Sequence, residues 1–388
     1  MSTELERLEA FSAIVPETAD LAEVRRYAHG DVNLNAARVR AAAQLHEHDE
    51  VVDEAIVGAQ KQAKKGNRTL VATHAVDTLF VAFGRRVLDL VPGRVSVEVD
   101  ARLAHNTKQL VDRARSLVDR FEQVGAGRHR VLVKMPATWE AIRAVGELAD
   151  DGIRSHLTQV FGLHQAAAAA DAGADVVEIA VGRITDWQKS TTGGADIALA
   201  DDLGVKLTGA IFSYLHHHHY PTKTMAGTFR STAQALALAG CDAITLPAKL
   251  IDMLAEGTGP VEWRLQAEHV PEPTFPREAW TASSFGTRHA ADPLAQAKLA
   301  EGMRSGHFTL SALEKQIGEW ITRRQDRAAA TSTTTLFGIW DFNGDGYIDR
   351  EEWAGSDAVF NAIDRDNNGR ISLQELAEAL GAPYQPPE

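Results

Sequence analysis

Along about the first 250 residues, apolar positions gather into eight short runs: FSAIVPE, DVNLNA, RVSVEV, RVLVKM, RSHLTQVF, DVVEIAV, VKLTGAIF and CDAITLPA. They are β-branched or alternating, which predicts strands. Between them lie stretches rich in Ala, Leu, Glu and Arg, such as TWEAIRAVGELADDG and GLHQAAAAADAGA. Apolar residues three and four apart, closed by a glycine, predict helices there. Strand alternating with helix implies parallel pairing through right-handed crossovers, and eight units predict a closed (β/α)8 barrel. An open doubly wound sheet is the other arrangement, but no GxGxxG turn follows the first run.

The alternation stops at EHVPEPTFPREAW. DPLAQAKLAEGMRSGHFTLSALEKQIGEWITRRQ then reads as two helices, and AAATSTTT as a low-complexity bridge. The expected organisation is a barrel with C-terminal helices over 1–326, a linker over 327–335, and a small all-α module over 336–388.

That module contains two units of one kind, DFNGDGYIDREE (Asp341 to Glu352) and DRDNNGRISLQE (Asp364 to Glu375). Both fit the twelve-residue EF-hand calcium loop. In the first, Asp341, Asn343, Asp345, Asp349 and Glu352 offer side-chain oxygens and Tyr347 its carbonyl, with Gly346 at the sharp turn. In the second, Asp364, Asp366, Asn368, Ser372 and Glu375 correspond, with the Arg370 carbonyl and Gly369. Ile348 and Ile371 hold matching positions that a short β contact between the loops would join.

Charge sharpens this division. The 388 residues carry a formal net charge of −13, and −8 of it falls after residue 332. An acidic chain is a poor candidate for nucleic-acid binding. No apolar run approaches the ~18 residues of a membrane span. The N-terminal MSTELERLEAF lacks an apolar signal core, and the single cysteine, Cys241, allows no disulfide within the chain. A cytoplasmic location is expected; a homodimer is compatible with the sequence, which fixes no oligomeric state.

Candidate chemistry centres on Lys134, which follows three aliphatic residues in VLVKMP. Barrel catalytic groups sit at the C-terminal ends of strands. A lysine there either snorkels to water or, if desolvated, loses its proton and becomes a nucleophile for carbonyls. Glu98 ends the third run and Thr158 lies in the fifth. Arg183 in VGRITDW follows the sixth run, and Thr228 and Arg230 in MAGTFRS follow the seventh. Two arginines and a hydroxyl at one face suit a phosphate dianion. YLHHHHYPTK carries His216 to His219; successive residues cannot all converge on one metal ion, and an exposed active-site lid is the expectation.

VSVEVDARL, VLVKMPATWEAIRA, LTQVFGLHQA, VGRITDW, GTFRS, LAGCDAITLPAKL and DPLAQAKLAEGM resemble, in order, segments of the transaldolase family, over about Met1 to Arg324. The tail is similar to that of transaldolases with an EF-hand extension. The resemblance implies a barrel enzyme that moves a dihydroxyacetone unit between sugar phosphates, with no organic cofactor and with calcium in the tail. It implies Lys134 as Schiff-base lysine, Glu98 and Thr158 as holders of a catalytic water, Asn35 as a substrate ligand, and Arg183 and Arg230 as phosphate ligands, with Thr228 in place of a serine. The sequence departs from the family pattern at Glu17 for an aspartate, Asn33 for a threonine, Ala37 for a serine, His156 for an asparagine, Glu178 for a serine and Ala180 for an aromatic residue. Glu178 either faces the substrate or faces a helix and pairs with a base. These departures leave two rivals: a Schiff-base enzyme with another carbonyl substrate, and a non-catalytic, calcium-responsive sugar-phosphate-binding protein.

Overall fold

In a computed structural model the β-rich runs form β1 (Ala13–Pro16), β2 (Val32–Asn33), β3 (Val95–Glu98), β4 (Val131–Pro136), β5 (Arg154–Val160), β6 (Val176–Ala180), β7 (Lys223–Gly227) and β8 (Ala243–Leu246). The structure describes residues 2–63, 68–328 and 333–381. All eight strands are parallel, in the order β1-β8-β7-β6-β5-β4-β3-β2. A parallel bridge between Glu17 and Asn33 joins the two ends of that order, so the sheet closes as a (β/α)8 barrel. Two of the residues that depart from the family pattern therefore sit at the seam.

The helices follow from local signals. In Trp139–Asp150, the Thr138 side chain accepts from Ala141 N, and Ala141, Ile142, Ala144, Val145 and Leu148 form the buried face. Gly152, at φ +68°, follows the helix end in a conformation that L side chains rarely adopt.

Two expectations are corrected. VKLTGAIF is not the seventh strand but part of the helix Leu203–His217. Asp202 caps that helix by accepting from Gly204 N and Val205 N, and Thr208, Ile211, Phe212 and Leu215 form a helical stripe. The strand is KTMAG, whose backbone pairs with β6 and β8 on either side. The segment expected as two helices is one helix of 36 residues, Pro293–Ala328, with Gly302 and Gly306 inside it; no proline interrupts it after its first position.

The described residues group into two compact units, Met1–Ala42 with Phe83–Thr309, and Ala43–Ala82 with Leu310–Glu388. The first holds the barrel. Val15, Leu132, Val176, Met225 and Ala243 make an apolar plug in it. The second holds the EF-hand pair. There Leu336, Phe337, Ile348, Phe360, Ile363, Ile371 and Leu376 form a core, and β9 (Ile348–Asp349) pairs antiparallel with β10 (Arg370–Ile371), Ile348 opposite Ile371 as expected. Of the bridge expected over 327–335, residues 329–332 lie outside the described residues, as do 382–388 of the tail. Among the described residues no helix is long and apolar enough to cross a membrane.

Candidate active site

Alternation along β4 turns Lys134 into the barrel, where β2, β4, β6 and β8 each contribute one polar side chain to a single layer: Asn33, Lys134, Glu178 and Thr245. Alternate strands filling one layer is the usual packing rule of such barrels, normally with aliphatic residues. Here the layer is a polar ring. Lys134 Nζ lies 2.7 Å from Glu178 Oε2 and donates to Asn33 Oδ1 at 3.0 Å, and Asn33 Nδ2 donates to Thr245 Oγ1 at 3.3 Å. The β5 residue in register with Lys134 is His156, whose Nε2 is 3.0 Å from the same Glu178 oxygen and whose Nδ1 is 2.9 Å from Ser96 Oγ. Glu178 thus faces the barrel, not a helix. The lysine and glutamate side chains are only 4% and 5% exposed, so the ion pair is almost wholly withdrawn from water.

That pairing works against the loss of the proton that burial of Lys134 favours. Burial alone pushes the ammonium toward deprotonation, but the charge of Glu178, reinforced by Glu98 and Glu17, outweighs it and raises the Lys134 pKa. Burial likewise opposes ionisation of Glu178, but Lys134 and His156 hold its carboxyl well below the usual range. Burial keeps His156 neutral by lowering its pKa.

Above the ring stands a second set of side chains. Glu98 pairs in register with Lys134 across β3 and β4, and its carboxylate accepts from Ala36 N at 2.9 Å. Enclosure raises its pKa, with the Lys134 charge acting against that. Thr158 lies opposite Pro136 on β5. Glu17 Oε1 accepts from Asn35 Nδ2 at 3.1 Å and from Arg38 Nε at 3.0 Å. Asn35 Oδ1 in turn accepts from Arg38 N at 2.9 Å. Arg38, Ser96 and Thr245 were not among the residues expected at the site. Arg38 had one signal, a base one turn beyond Asn35 at the start of the helix Ala36–Ala42.

The basic groups lie beyond β6 and β7. Gly182 N donates to Thr228 O at 3.2 Å, and a Cβ at 182 would come within 2.3 Å of that oxygen. The glycine therefore lets the first turn of the helix Val181–Thr191 touch the segment after β7 and brings Arg183 and Arg230 to one rim. Thr228 takes φ +60°, an uncommon position for a β-branched residue. Arg230 forms a forked pair with Asp186, at 2.6 Å for Nη2. Arg183 pairs with Glu301 at 3.1 Å and stacks over Phe161. Glu301 also takes Lys298 at 2.8 Å, a third cation at this rim. Carboxylates therefore neutralise both arginines, as an incoming dianion would.

The four histidines are not at this mouth, which corrects the lid expectation. His216 and His217 end the helix Leu203–His217, and His218 and His219 lead into the start of β7, the opposite end of the strand from Thr228. His216 pairs with Asp242 at 3.2 Å. Cys241 is buried and its thiol donates to Thr224 O at 3.2 Å; burial pushes its pKa up, as suits a packing residue.

In the tail, positions four and six of both loops adopt left-handed backbone, Gly344 and Gly346 in the first, Asn367 and Gly369 in the second. Asp341 accepts from Asp345 N and Gly346 N, and Asp364 from Asn368 N and Gly369 N. Glu352 accepts from Asn343 N and Asp349 N, and Glu375 from Arg365 N and Ser372 N. Each loop is thereby folded around its first and last carboxylates. Asp364, Asp366 and Glu375 bring oxygens within 4.8 Å of one another, and burial raises the Glu352 carboxyl to about 7. Hard oxygen donors gathered in this way suit calcium.

Residues 14–317 match the family model for transaldolase/fructose-6-phosphate aldolase, and residues 335–354 and 357–380 match that for the EF hand. The chain is 38% identical to the transaldolase of Thermosynechococcus vestitus over 380 residues, 97% of both chains. It is 36% identical to that of Prochlorococcus marinus over 98% of both. It is 38% identical to transaldolase A of Escherichia coli K12 over 302 residues, 78% of this chain and 94% of that one. A buried lysine on β4, a basic rim beyond β6 and β7 and these matches lead to one conclusion: the chain belongs to the transaldolase/fructose-6-phosphate aldolase family.

Proposed function

We propose that this chain is a transaldolase that carries a dihydroxyacetone unit from a ketose phosphate to an aldose phosphate on Lys134. The observation that carries the reading is Lys134 itself, enclosed in the barrel with a carboxylate, Glu98, in register beside it. As a neutral amine Lys134 adds to the donor ketone, and loss of water leaves an iminium. Glu98 and Thr158 are assigned to the water that carries protons during this step. Glu17 takes the proton of the hydroxyl next to the breaking C–C bond, held for this by Asn35 and Arg38. The iminium accepts the electron pair, the first aldose leaves, and the enamine attacks the second. Asn33, Asn35, His156 and Glu178 line the donor's hydroxyls, and Arg183, Arg230 and Thr228 take the phosphate. Matches to transaldolases over nearly the full chain do not favour either rival reading.

The test is turnover of fructose 6-phosphate with erythrose 4-phosphate, combined with borohydride trapping read by intact mass. A single adduct on Lys134 together with turnover supports the reading; neither adduct nor turnover overturns it. Arg230→Ala is expected to raise KM for phosphorylated donors at least ~10-fold, since charge-assisted contacts contribute about 1.5–3 kcal/mol. Its KM for dihydroxyacetone, which lacks the phosphate, should be unchanged. Equal effects on both would remove Arg230 from the phosphate site.

The tail is proposed to bind two calcium ions through the twelve residues named for its loops. The first loop should be tighter, with four acidic ligands (Asp341, Asp345, Asp349, Glu352) against three (Asp364, Asp366, Glu375). Titration calorimetry should resolve two binding events, with Glu352→Gln weakening the tighter one at least ~10-fold. Calcium at about 100 times the Kd of a site should stabilise the tail by about 2.7 kcal/mol per site. No heat at millimolar calcium would dismiss both sites.

A further inference from the structure

The polar ring contains one residue for which the mechanism above has little use as it stands. Glu178 is buried and aimed at the reacting nitrogen, 2.7 Å from it. Space has been made for it: a Cβ at Gly227 would lie 3.0 Å from Glu178 Oε1 and 2.6 Å from Thr245. Glu178 Oε2 lies 2.7 Å from Lys134 Nζ, an ion pair, and 3.0 Å from Nε2 of the neutral His156. The carboxylate is thus committed to the lysine inside the barrel.

We propose, resting on the transaldolase reading, that Glu178 is a built-in counter-ion that holds Lys134 as its ammonium, so that the lysine reacts with a carbonyl only when the Glu178 contact is released. Imine formation shows why this matters. The ammonium first gives a proton to solvent. The neutral nitrogen then adds to the carbonyl carbon, and the carbonyl oxygen receives one proton from nitrogen. A second proton from solvent lets that oxygen leave as water, and nitrogen keeps the positive charge as an iminium. A carboxylate 2.7 Å from nitrogen favours the charged state before the first step and disfavours the neutral amine that attacks. It favours the iminium over the neutral enamine in the same way, so it also restrains C–C cleavage.

The groups around Lys134 do not cancel this. Asn33 from β2 presents an acceptor oxygen, Glu98 from β3 and Glu17 beyond β1 add negative charge, and Thr245 from β8 is neutral. His156 from β5 is kept neutral by burial, with Lys134 and Arg94 also lowering its pKa. A donor hydroxyl that reaches the Glu178 carboxylate competes with the ammonium for it. Substrates without a hydroxyl in that place leave the lysine restrained, which makes Glu178 a selectivity residue as well as a restraint.

The experiment measures the rate of adduct formation with dihydroxyacetone phosphate under cyanoborohydride, by intact mass, from about pH 6 to about pH 10. The unmutated protein is compared with Glu178→Gln and Glu178→Asp. The expected result for Glu178→Gln is a rise of the rate profile at a pH at least ~1 unit lower, and so a ~10-fold faster adduct at neutral pH. Glu178→Asp keeps the charge but withdraws it by one methylene, so its profile should rise between those of the unmutated protein and Glu178→Gln. Circular dichroism establishes that each variant is folded. A folded Glu178→Gln with a superimposable profile, or with a slower adduct at neutral pH, overturns the counter-ion role alone. Failure of the unmutated protein and of Glu178→Gln to trap at any pH overturns the transaldolase reading and this inference with it.

Discussion

Lys134→Ala should abolish the borohydride-trapped adduct and lower turnover by at least ~10⁴-fold, as removal of a nucleophile does in enzymes whose site acts as a unit. The loss should not be confined to chemistry. Glu178 would keep its buried charge with its main partner gone, and breaking a buried pair from one side costs about 3–5 kcal/mol. The linkage runs in both directions. The raised pKa of Lys134 contributes stability below the lysine's ordinary range, lost as pH rises through the folded-state value. The depressed pKa of Glu178 contributes stability above the usual carboxylate range, lost as pH falls through its folded-state value. The pair therefore stabilises the barrel across neutral pH, where Lys134→Ala would be weakest. Lys134→Arg separates the two effects. It keeps a charge opposite Glu178 but supplies no nucleophilic amine at neutral pH, so it should melt nearer the unmutated protein and still form no adduct. An adduct at unchanged yield in Lys134→Arg would place the Schiff base on another lysine.

Much of this site was legible along the chain because strand alternation is a strict rule. Lys134 had to share a face with Leu132, and Glu98 had to stand at a strand end. What alternation could not decide was the direction of Glu178. VVEIA is buried on both faces, so a glutamate in it meets protein whichever way it points, and the partner that settles the matter lies on β4, 44 positions away. β7 failed for a related reason. KTMAG has a single large apolar residue, and its strand state comes from backbone pairing with β6 and β8, whereas the richer VKLTGAIF is claimed by the Asp202 cap and its own helical stripe. The histidine run was misplaced together with that strand. The EF-hand loops were legible to the residue because the left-handed turns and the terminal carboxylates are fixed by position within one short segment.

Glu17→Gln should lower turnover by roughly 10²–10⁴-fold, the usual contribution of a positioned general base, while adduct formation on Lys134 stays within about threefold of the unmutated rate. The separation follows from where Glu17 sits. It does not touch Lys134; its Oε1 is held by Asn35 and Arg38, at 3.1 and 3.0 Å. Glutamine can accept from the same two donors, so the seam between Glu17 and Asn33 should survive, but an amide cannot take the hydroxyl proton that C–C cleavage releases. Carbonyl addition does not require that transfer; cleavage does. Glu17→Asp tests the geometry. Its carboxylate is withdrawn by one methylene, away from Arg38, and a displacement of about 1 Å at a reacting group can cost about 100-fold. The aspartate should therefore also turn over more slowly than glutamate, even though aspartate is the residue of the family pattern, because Arg38 and Asn35 here fit the longer side chain. If Glu17→Gln turns over at the unmutated rate, the base is a different carboxylate, and Glu98, in register with Lys134 on β3, becomes the residue to replace.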